Sequence, residues 1–595
     1  MLTQTDVNGN VTSFDYINQR TNAIDPFGRV GVVTGPAVSS SSDSAGNFTT
    51  LVNQQRKVVT RYFDGIGQPN NAGQVEVWTD LKQQGDGLLK TRATNDQLGR
   101  PVKTEISENG STYSISSQTA FQQMGRITFS SNPTRNTGES TDGWTRATSD
   151  DLGRVIEVAT FSGPTQPPAT GTPSNWTGSV GTAYNAEQTT VTDQAGKKRR
   201  SFVDGLGRLK QVDELLETGA LYASTTYSYD ALGNLTFVNQ GAQQRQFVYD
   251  SLSRLRQAYN PEQVNASGLK IATLYQYDDA SNLMLKTNPN STTLGFTYDG
   301  LNRVTTKTLS TGGVWSYAYD VGTNYKSRMV SEVLQGTTDG NYYDGYDAAG
   351  RVTASHQVTT AGGSAQSYSL SYKYDLARNL TSQTYPSNKE YRTNYDNAGR
   401  VSGVSRYNTG VFDKSYGSQF SYSAHGAVSA MTLGNNLIEK TAYNERLQPT
   451  QIKLGTPGSP SSALQLDYTY NTTGQANNNG NVRTQTITAA VGDKKPGPPI
   501  TVTIDPSNSS DIGKDPARVM AHELGGHTSE AVDLAMRPSP GDPKGEYGPG
   551  RNITEYFGKR ETASEAAEKA AGKLPDKPTP EAIKAVEEIL KRREQ

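Results

Sequence analysis

Two of the four histidines in this 595-residue chain flank a glutamate, in His522-Glu523-Leu524-Gly525-Gly526-His527. Two imidazoles can hold Zn²⁺, and a carboxylate beside the ion can take a proton from a bound water. The spacing sets a condition on this chemistry. In an α-helix, residues four apart differ by roughly 40° around the axis, and residues five apart by roughly 140°. His522 and His527 are of the second kind. A π-bulge makes i and i+5 neighbours, and Gly525-Gly526 eases a bend or a helix end at that point. Each mid-helix glycine otherwise costs about 1 kcal/mol relative to Ala. A third ligand must come from elsewhere in the chain.

The residues from 500 onward supply the elements that would position these groups. Alternating Thr and β-branched residues predict a strand over 500–504, and apolar periodicity predicts helices over 515–534, 554–574 and 579–593. Thr579 is the expected N-cap of the last, with Pro580 at its first position. The Gly- and Pro-rich loop 538–552 would form a substrate rim. The His-Glu stretch resembles the His-Glu-x-x-His helix of zinc proteases, lengthened by one residue. The resemblance to the gluzincin type implies Glu523 as general base and His522, His527 and Glu561 as Zn²⁺ ligands. It also implies Glu565 as the acidic residue that supports a ligand imidazole. Glu568 and Glu530 are alternative third ligands. The plainer reading makes the Glu-rich stretches 561–568 and 581–594 solvated helix faces, and the His pair a coincidence.

Upstream, one phrase recurs. It reads Tyr229-Asp230-Ala231-Leu232-Gly233-Asn234-Leu235, then Tyr298-Asp299-Gly300-Leu301-Asn302-Arg303-Val304. It returns as Tyr346-Asp347-Ala348-Ala349-Gly350-Arg351-Val352 and Tyr395-Asp396-Asn397-Ala398-Gly399-Arg400-Val401, with further copies from Tyr249, Tyr277 and Tyr374. Alternating aromatics before the Asp put both rings on one face of a strand. The Asp opens a turn by accepting from a backbone N–H two residues on, and the Gly supplies a positive φ. A return strand follows. One such unit cannot bury its aromatic face alone, so units must pair side by side.

This phrase is similar to the YD repeat of the Rhs and teneurin family. The resemblance implies a β-sheet strip that coils into a hollow shell, and in bacterial members a variable C-terminal toxin inside it. It further implies a protein substrate in a target cell, an immunity protein and a secretion apparatus as partners, and a secreted or cell-surface location. The fold expected is mostly β: an antiparallel strip or partial shell over 1–485, degenerate over 1–220 and regular over 221–485. A Pro/Gly linker over 486–499 and a small, mainly helical zincin-like domain over 500–595 complete it.

In the degenerate part the turn chemistry outlasts the tyrosine, as in Asp25-Pro26-Phe27-Gly28-Arg29, Asp96-Gln97-Leu98-Gly99-Arg100, Asp151-Leu152-Gly153-Arg154 and Asp204-Gly205-Leu206-Gly207-Arg208. Loops 39–44 and 162–175 read as exposed hairpin ends. His356 and His425 read as isolated sheet-surface or turn residues. A copy already stands at Asp6-Val7-Asn8-Gly9-Asn10, so the array is expected to be cut into rather than capped, and no shell-closing or self-cleavage segment is expected after it. The strip would then be open.

Composition narrows the classes. A net charge of −1 gives no bulk attraction to nucleic acid or anionic membrane. The absence of Cys excludes disulfides and thiolate-bound metal. The first residues carry no basic start followed by an apolar run, so no cleavable signal peptide is expected, and no stretch is apolar enough for a membrane span. The rival expectation is a non-catalytic surface or secreted protein whose repeat sheet contacts carbohydrate or protein.

Overall fold

A computed structural model describes residues 1–489 and 500–503, apart from 19–22, 26–27, 43–47, 64–72, 136–137, 217 and 473. The described residues form two units, Met1–Ala427 and the part that begins at Val428.

In the first unit the strand Leu2–Thr5 pairs with Val11–Asp15, which pairs with Val32–Ser42, which pairs with Phe48–Phe63. From there each strand pairs antiparallel with the next in sequence, ending with Val401–Asn408 against Val411–Tyr422. The second unit repeats the pattern in Val428–Leu433, Ile438–Tyr443, Pro449–Thr456, Ser459–Thr469, Thr484–Ala489 and Ile500–Thr503. The predicted alternation is present. Tyr227 and Tyr229 are half-buried while Ser228 between them is exposed, and Tyr275, Gln276 and Tyr277 repeat this order.

Among the described residues a conventional apolar core stands in one place. Ile127, Phe129, Trp144, Ala159 and Phe161 pack together, with Ala120, Ala169 and Trp176 against them. Ala169 belongs to a loop expected to be an exposed hairpin end. Instead the loop lies over this cluster, and its Pro164 and Pro168 carbonyls accept from Trp144 Nε1 at 3.0 Å and Arg146 Nη1 at 2.9 Å. The other expected hairpin end is corrected in part as well. Residues 39–42 continue the strand Val32–Ser42, and buried Ser40 donates its hydroxyl to the Lys82 carbonyl.

The first unit also curls back on itself. Its late turns meet its early loops across 287 to 318 residues of sequence. Asn8 and Lys326 exchange backbone and side-chain bonds at 2.7 and 3.3 Å. Leu376 donates its N–H to the Leu81 carbonyl at 2.8 Å, with Leu81 and Leu376 both buried. Lys82 Nζ reaches Asn397 Oδ1 at 2.9 Å. Glu108 takes Arg135 Nη2 at 2.5 Å and Arg400 Nη1 at 2.7 Å, and Arg135 also donates to the Tyr422 carbonyl at 2.9 Å. The loop 80–88 that receives Leu376 and Asn397 is fixed by two carboxylates. Asp80 accepts from the N–H groups of Lys57, Gly85 and Gly87, and Asp86 from those of Leu81, Lys82 and Gln83.

Candidate functional site

Each recurring residue of the phrase has a definite place in a turn-to-turn ladder. Asp230 Oδ1 accepts from the N–H groups of Leu232 at 3.0 Å and Asn234 at 2.9 Å, and Oδ2 accepts from Asn234 Nδ2 at 2.9 Å. Gly233 has φ 86° and donates its N–H to the Asp230 carbonyl at 3.1 Å. The return strand then pairs one residue out of step, Ser228 with Phe237 but Tyr229 with Leu235, which is a bulge. Where Arg follows the Gly position, its Nε replaces the Asn amide, as in Arg303 on Asp299 Oδ2 at 2.7 Å. The Arg303 backbone N–H and then its guanidinium hold the Asp299 carboxyl below the ordinary range.

The next repeat is joined by the tyrosine. Tyr277 Oη donates to the Leu255 carbonyl at 2.9 Å, Tyr319 to Val304 at 2.9 Å and Tyr374 to Val352 at 2.8 Å. The preceding arginine covers the same ring: Arg254 on Tyr277 at 5.1 Å, Arg303 on Tyr319 at 4.4 Å and Arg351 on Tyr374 at 4.7 Å. Arg351 Nη1 also donates to the carbonyl of Asp375, the next turn's Asp, at 2.6 Å. Asp therefore builds its own turn, Tyr couples neighbours, and Arg does both. The degenerate copies keep this geometry. Asp25–Arg29, Asp96–Arg100 and Asp204–Arg208 are ion-paired within their turns. One sequence assignment shifts by a residue: the turn-opening carboxylate is Asp150, not Asp151, because Asp150 accepts from Leu152 and Arg154.

The backbone demand of the turn is independent of glycine. Ser253, Ser281, Asn302, Arg378 and Leu447 occupy the Gly position with φ between 60° and 78°. A branched apolar residue there is strained by about 1–2 kcal/mol. Leu447→Gly is expected to raise stability by about 0.5–1 kcal/mol, since glycine's greater unfolded entropy offsets part of the relief. Urea unfolding checks this; a lower midpoint would mean that the Leu447 side chain contributes more by packing than its backbone costs.

The structure corrects the isolated reading of His356. Its Nδ1 lies 2.8 Å from Asp344 Oδ2, and its ring stacks on Tyr342 with centroids 4.5 Å apart. His425 sits in the turn after Tyr422, where Ser423 Oγ is 3.4 Å away and burial pushes the imidazole below its ordinary range. Among the described residues no group of three His, Asp or Glu stands close enough to hold a metal ion. His522, Glu523, His527, Glu530, Glu561, Glu565 and Glu568, with the predicted helices that carry them, lie outside the described residues.

With this geometry in view, residues 185–361 match the teneurin YD-shell family, and residues 346–390 match the RHS repeat. The chain carries an RHS/YD-repeat array. The same fold is found among solved structures. The crystal structure of TcdB2-TccC3 matches at 14% identity and TM-score 0.61, over 84% of this chain and 28% of that one. TcdB2-TccC3 without its hypervariable C-terminal region matches at 13% identity and TM-score 0.66, over 85% of this chain and 30% of that one. The YD-repeat chain thus spans under a third of the length of either, and at such identity the likeness is one of fold. No curated protein matches its sequence. Among its described residues no helix is long and apolar enough to cross a membrane.

Proposed function

We propose that this chain is part of a toxin-associated YD-repeat shell and that the residues after the strand Ile500–Thr503 are its effector, a zinc-dependent peptidase. The reading is carried by the sequence that follows the array: composition changes after Ala489, and His522-Glu523-Leu524-Gly525-Gly526-His527 comes next, with Glu561 further on. The similar TcdB2-TccC3 also ends in a hypervariable C-terminal region, which supports reading the end of this chain as the variable part. A secreted or extracellular protein, delivered to a target cell and countered by an immunity protein, is the setting that fits.

The donor set suits zinc, since two imidazoles and one carboxylate leave a fourth position for water. His522, His527 and Glu561 would hold the ion, with Glu565 fixing an imidazole tautomer from behind. Bound zinc supplies Lewis acidity, polarising the scissile carbonyl and lowering the pKa of its water to about 7. Glu523 would serve as the general base toward the attacking water and as the proton donor to the leaving amine.

Metal analysis of the purified full chain tests this. One zinc per chain is expected, removed by a chelator and lost in His522→Ala and His527→Ala, but kept in His356→Ala. Zinc at background level in the native chain would overturn the proposal and favour a non-catalytic repeat protein.

A further inference from the structure

One copy of the turn departs from the others in its chemistry. In Asp96-Gln97-Leu98-Gly99, Asp204-Gly205-Leu206-Gly207, Asp230-Ala231-Leu232-Gly233 and Asp347-Ala348-Ala349-Gly350 the residue before the glycine is apolar, but in Asp6-Val7-Asn8-Gly9 it is an asparagine. The backbone is the same. Asn8 donates its N–H to Asp6 Oδ1 at 2.8 Å, as Leu98 does to Asp96 at 2.9 Å. Gly9 has φ 84° and donates to the Asp6 carbonyl at 3.0 Å. The difference lies in the side chain. Leu98, Leu206 and Leu232 project into solvent, whereas the Asn8 amide crosses to a late turn of the unit. Its Oδ1 accepts the Lys326 N–H at 2.7 Å, and its Nδ2 donates to the Lys326 carbonyl at 3.3 Å. Beside it Asn10 Nδ2 donates to Asn324 Oδ1 at 3.0 Å.

This two-way contact needs an amide, which offers an acceptor and donors together, whereas an ionised carboxylate only accepts. The turn needs glycine next, because φ there is positive. The two demands together write Asn-Gly, the pair in which cyclisation is least hindered, since glycine has no side chain beside its nitrogen. The space around Gly9 is open as well, with nothing within 4 Å of where a Cβ would stand. In the closed contact both reacting groups are engaged, the Asn8 amide by Lys326 and the Gly9 N–H by the Asp6 carbonyl. Opening of the contact frees the amide, and fraying of the turn frees the nitrogen. The Gly9 nitrogen then attacks Asn8 Cγ, the Cγ–Nδ2 bond breaks, and Nδ2 leaves as ammonia with the proton that Gly9 gives up. Water opens the resulting succinimide at one carbonyl or the other, to aspartate or to isoaspartate. One water enters, one ammonia leaves, and nothing is oxidised or reduced.

We propose that Asn8 is a hydrolytic modification site guarded by the Lys326 contact, and that its conversion keeps the contact from re-forming. Either product lacks the Nδ2 donor and turns a carboxylate toward the Lys326 carbonyl, with the Asp6 carboxylate already beside it. Isoaspartate also adds a methylene to the backbone, which the Asp6–Gly9 bond cannot span unchanged. The site thus acts as a one-way latch between the early and late parts of the first unit. It is independent of the proposed peptidase.

Peptide mapping of the full chain, held for several days at mildly alkaline pH, tests this. Isoaspartate at residue 8 is expected to form about tenfold more slowly than in a free peptide of residues 4–13, because only the opened contact reacts. Asn324→Gly suits the φ of 64° at that position and removes the neighbouring bond. It should raise the rate at Asn8 about fivefold, the worth of one hydrogen bond. Urea below the unfolding transition should raise it in the native chain too. Asn479-Gly480, in the second unit, is the reference whose rate Asn324→Gly leaves unchanged. Asn8→Gln keeps an amide on a longer arm and should accumulate no modification there. In the modified fraction, separated by charge, the Lys326 amide should exchange its hydrogen about tenfold faster than in the unmodified chain. A rate at Asn8 equal to that of the free peptide would overturn the assignment. So would no modification in the native chain, in urea and in Asn324→Gly alike, or unchanged exchange at Lys326 in the modified fraction.

Discussion

Glu523→Gln is expected to keep its zinc and to lose peptide hydrolysis by roughly 10²–10⁴-fold, the usual contribution of a positioned general base. The amide preserves size and hydrogen bonding but cannot accept the proton of the attacking water. His522→Ala should lose metal and activity together, so the two variants separate the ligand role from the base role. Peptide cleavage assayed on the full chain, beside its metal content, decides the matter. A Glu523→Gln chain as active as the native one would remove Glu523 from the mechanism while leaving zinc binding standing. Loss of zinc in that variant would make Glu523 a ligand instead.

The second large effect is expected where late turns meet early loops. Glu108→Arg places a third guanidinium beside Arg135 and Arg400, and should destabilise the first unit by about 3 kcal/mol, as breaking a largely desolvated pair does. Two carboxyls there titrate in opposite senses. Hydrogen bonding from Arg135, against the opposing cost of burial and with help from Arg400, brings Glu108 down to about 2. Its contribution is present above the usual glutamate range and fades as pH falls toward 2. Burial pushes Asp375 up to about 6, against its bonds to Asn379 and the pull of Arg351. Its contribution is complete below the usual aspartate range and fades as pH rises through 6. Stability should therefore peak at about pH 4, between the usual aspartate and glutamate ranges, and fall from there toward pH 6. Asp375→Asn should flatten the alkaline side of that peak, and Glu108→Gln the acid side. Urea midpoints across pH measure both. A profile unchanged by either substitution would show that these contacts contribute nothing to stability.

Much of this architecture is legible in the sequence because its causes are local. Asp230, Gly233 and Asn234 make their turn within five residues, and Tyr275 and Tyr277 declare a strand face by alternation. The contacts of Glu108 with Arg400, or of Leu81 with Leu376, leave no such trace. Their partners lie about three hundred residues apart, and each residue alone reads as an ordinary surface or loop residue. The Asp344–His356 pair was hidden for a different reason. Register shifts on both sides of Gly345 change which residues face each other, and sequence counting does not see them. The choice between Asp150 and Asp151 had the same character: two adjacent carboxylates fit the motif, and only the bond to Arg154 separates them. The proposed ligands His522, His527 and Glu561 stood out for their residue types alone, since no group of three His, Asp or Glu stands together among the described residues of the array.

The long-range contacts also fix a count. Adding or deleting one hairpin would preserve every neighbour-to-neighbour bond along the strip, yet it would rotate the wrong turn onto the loop around Leu81. After an addition the small tip Ala348-Ala349 would arrive where Leu376 now fits, and after a deletion Asn397-Ala398 would. The array thus behaves as a vernier scale: its repeats are locally interchangeable, but only one total number brings the distant marks into line.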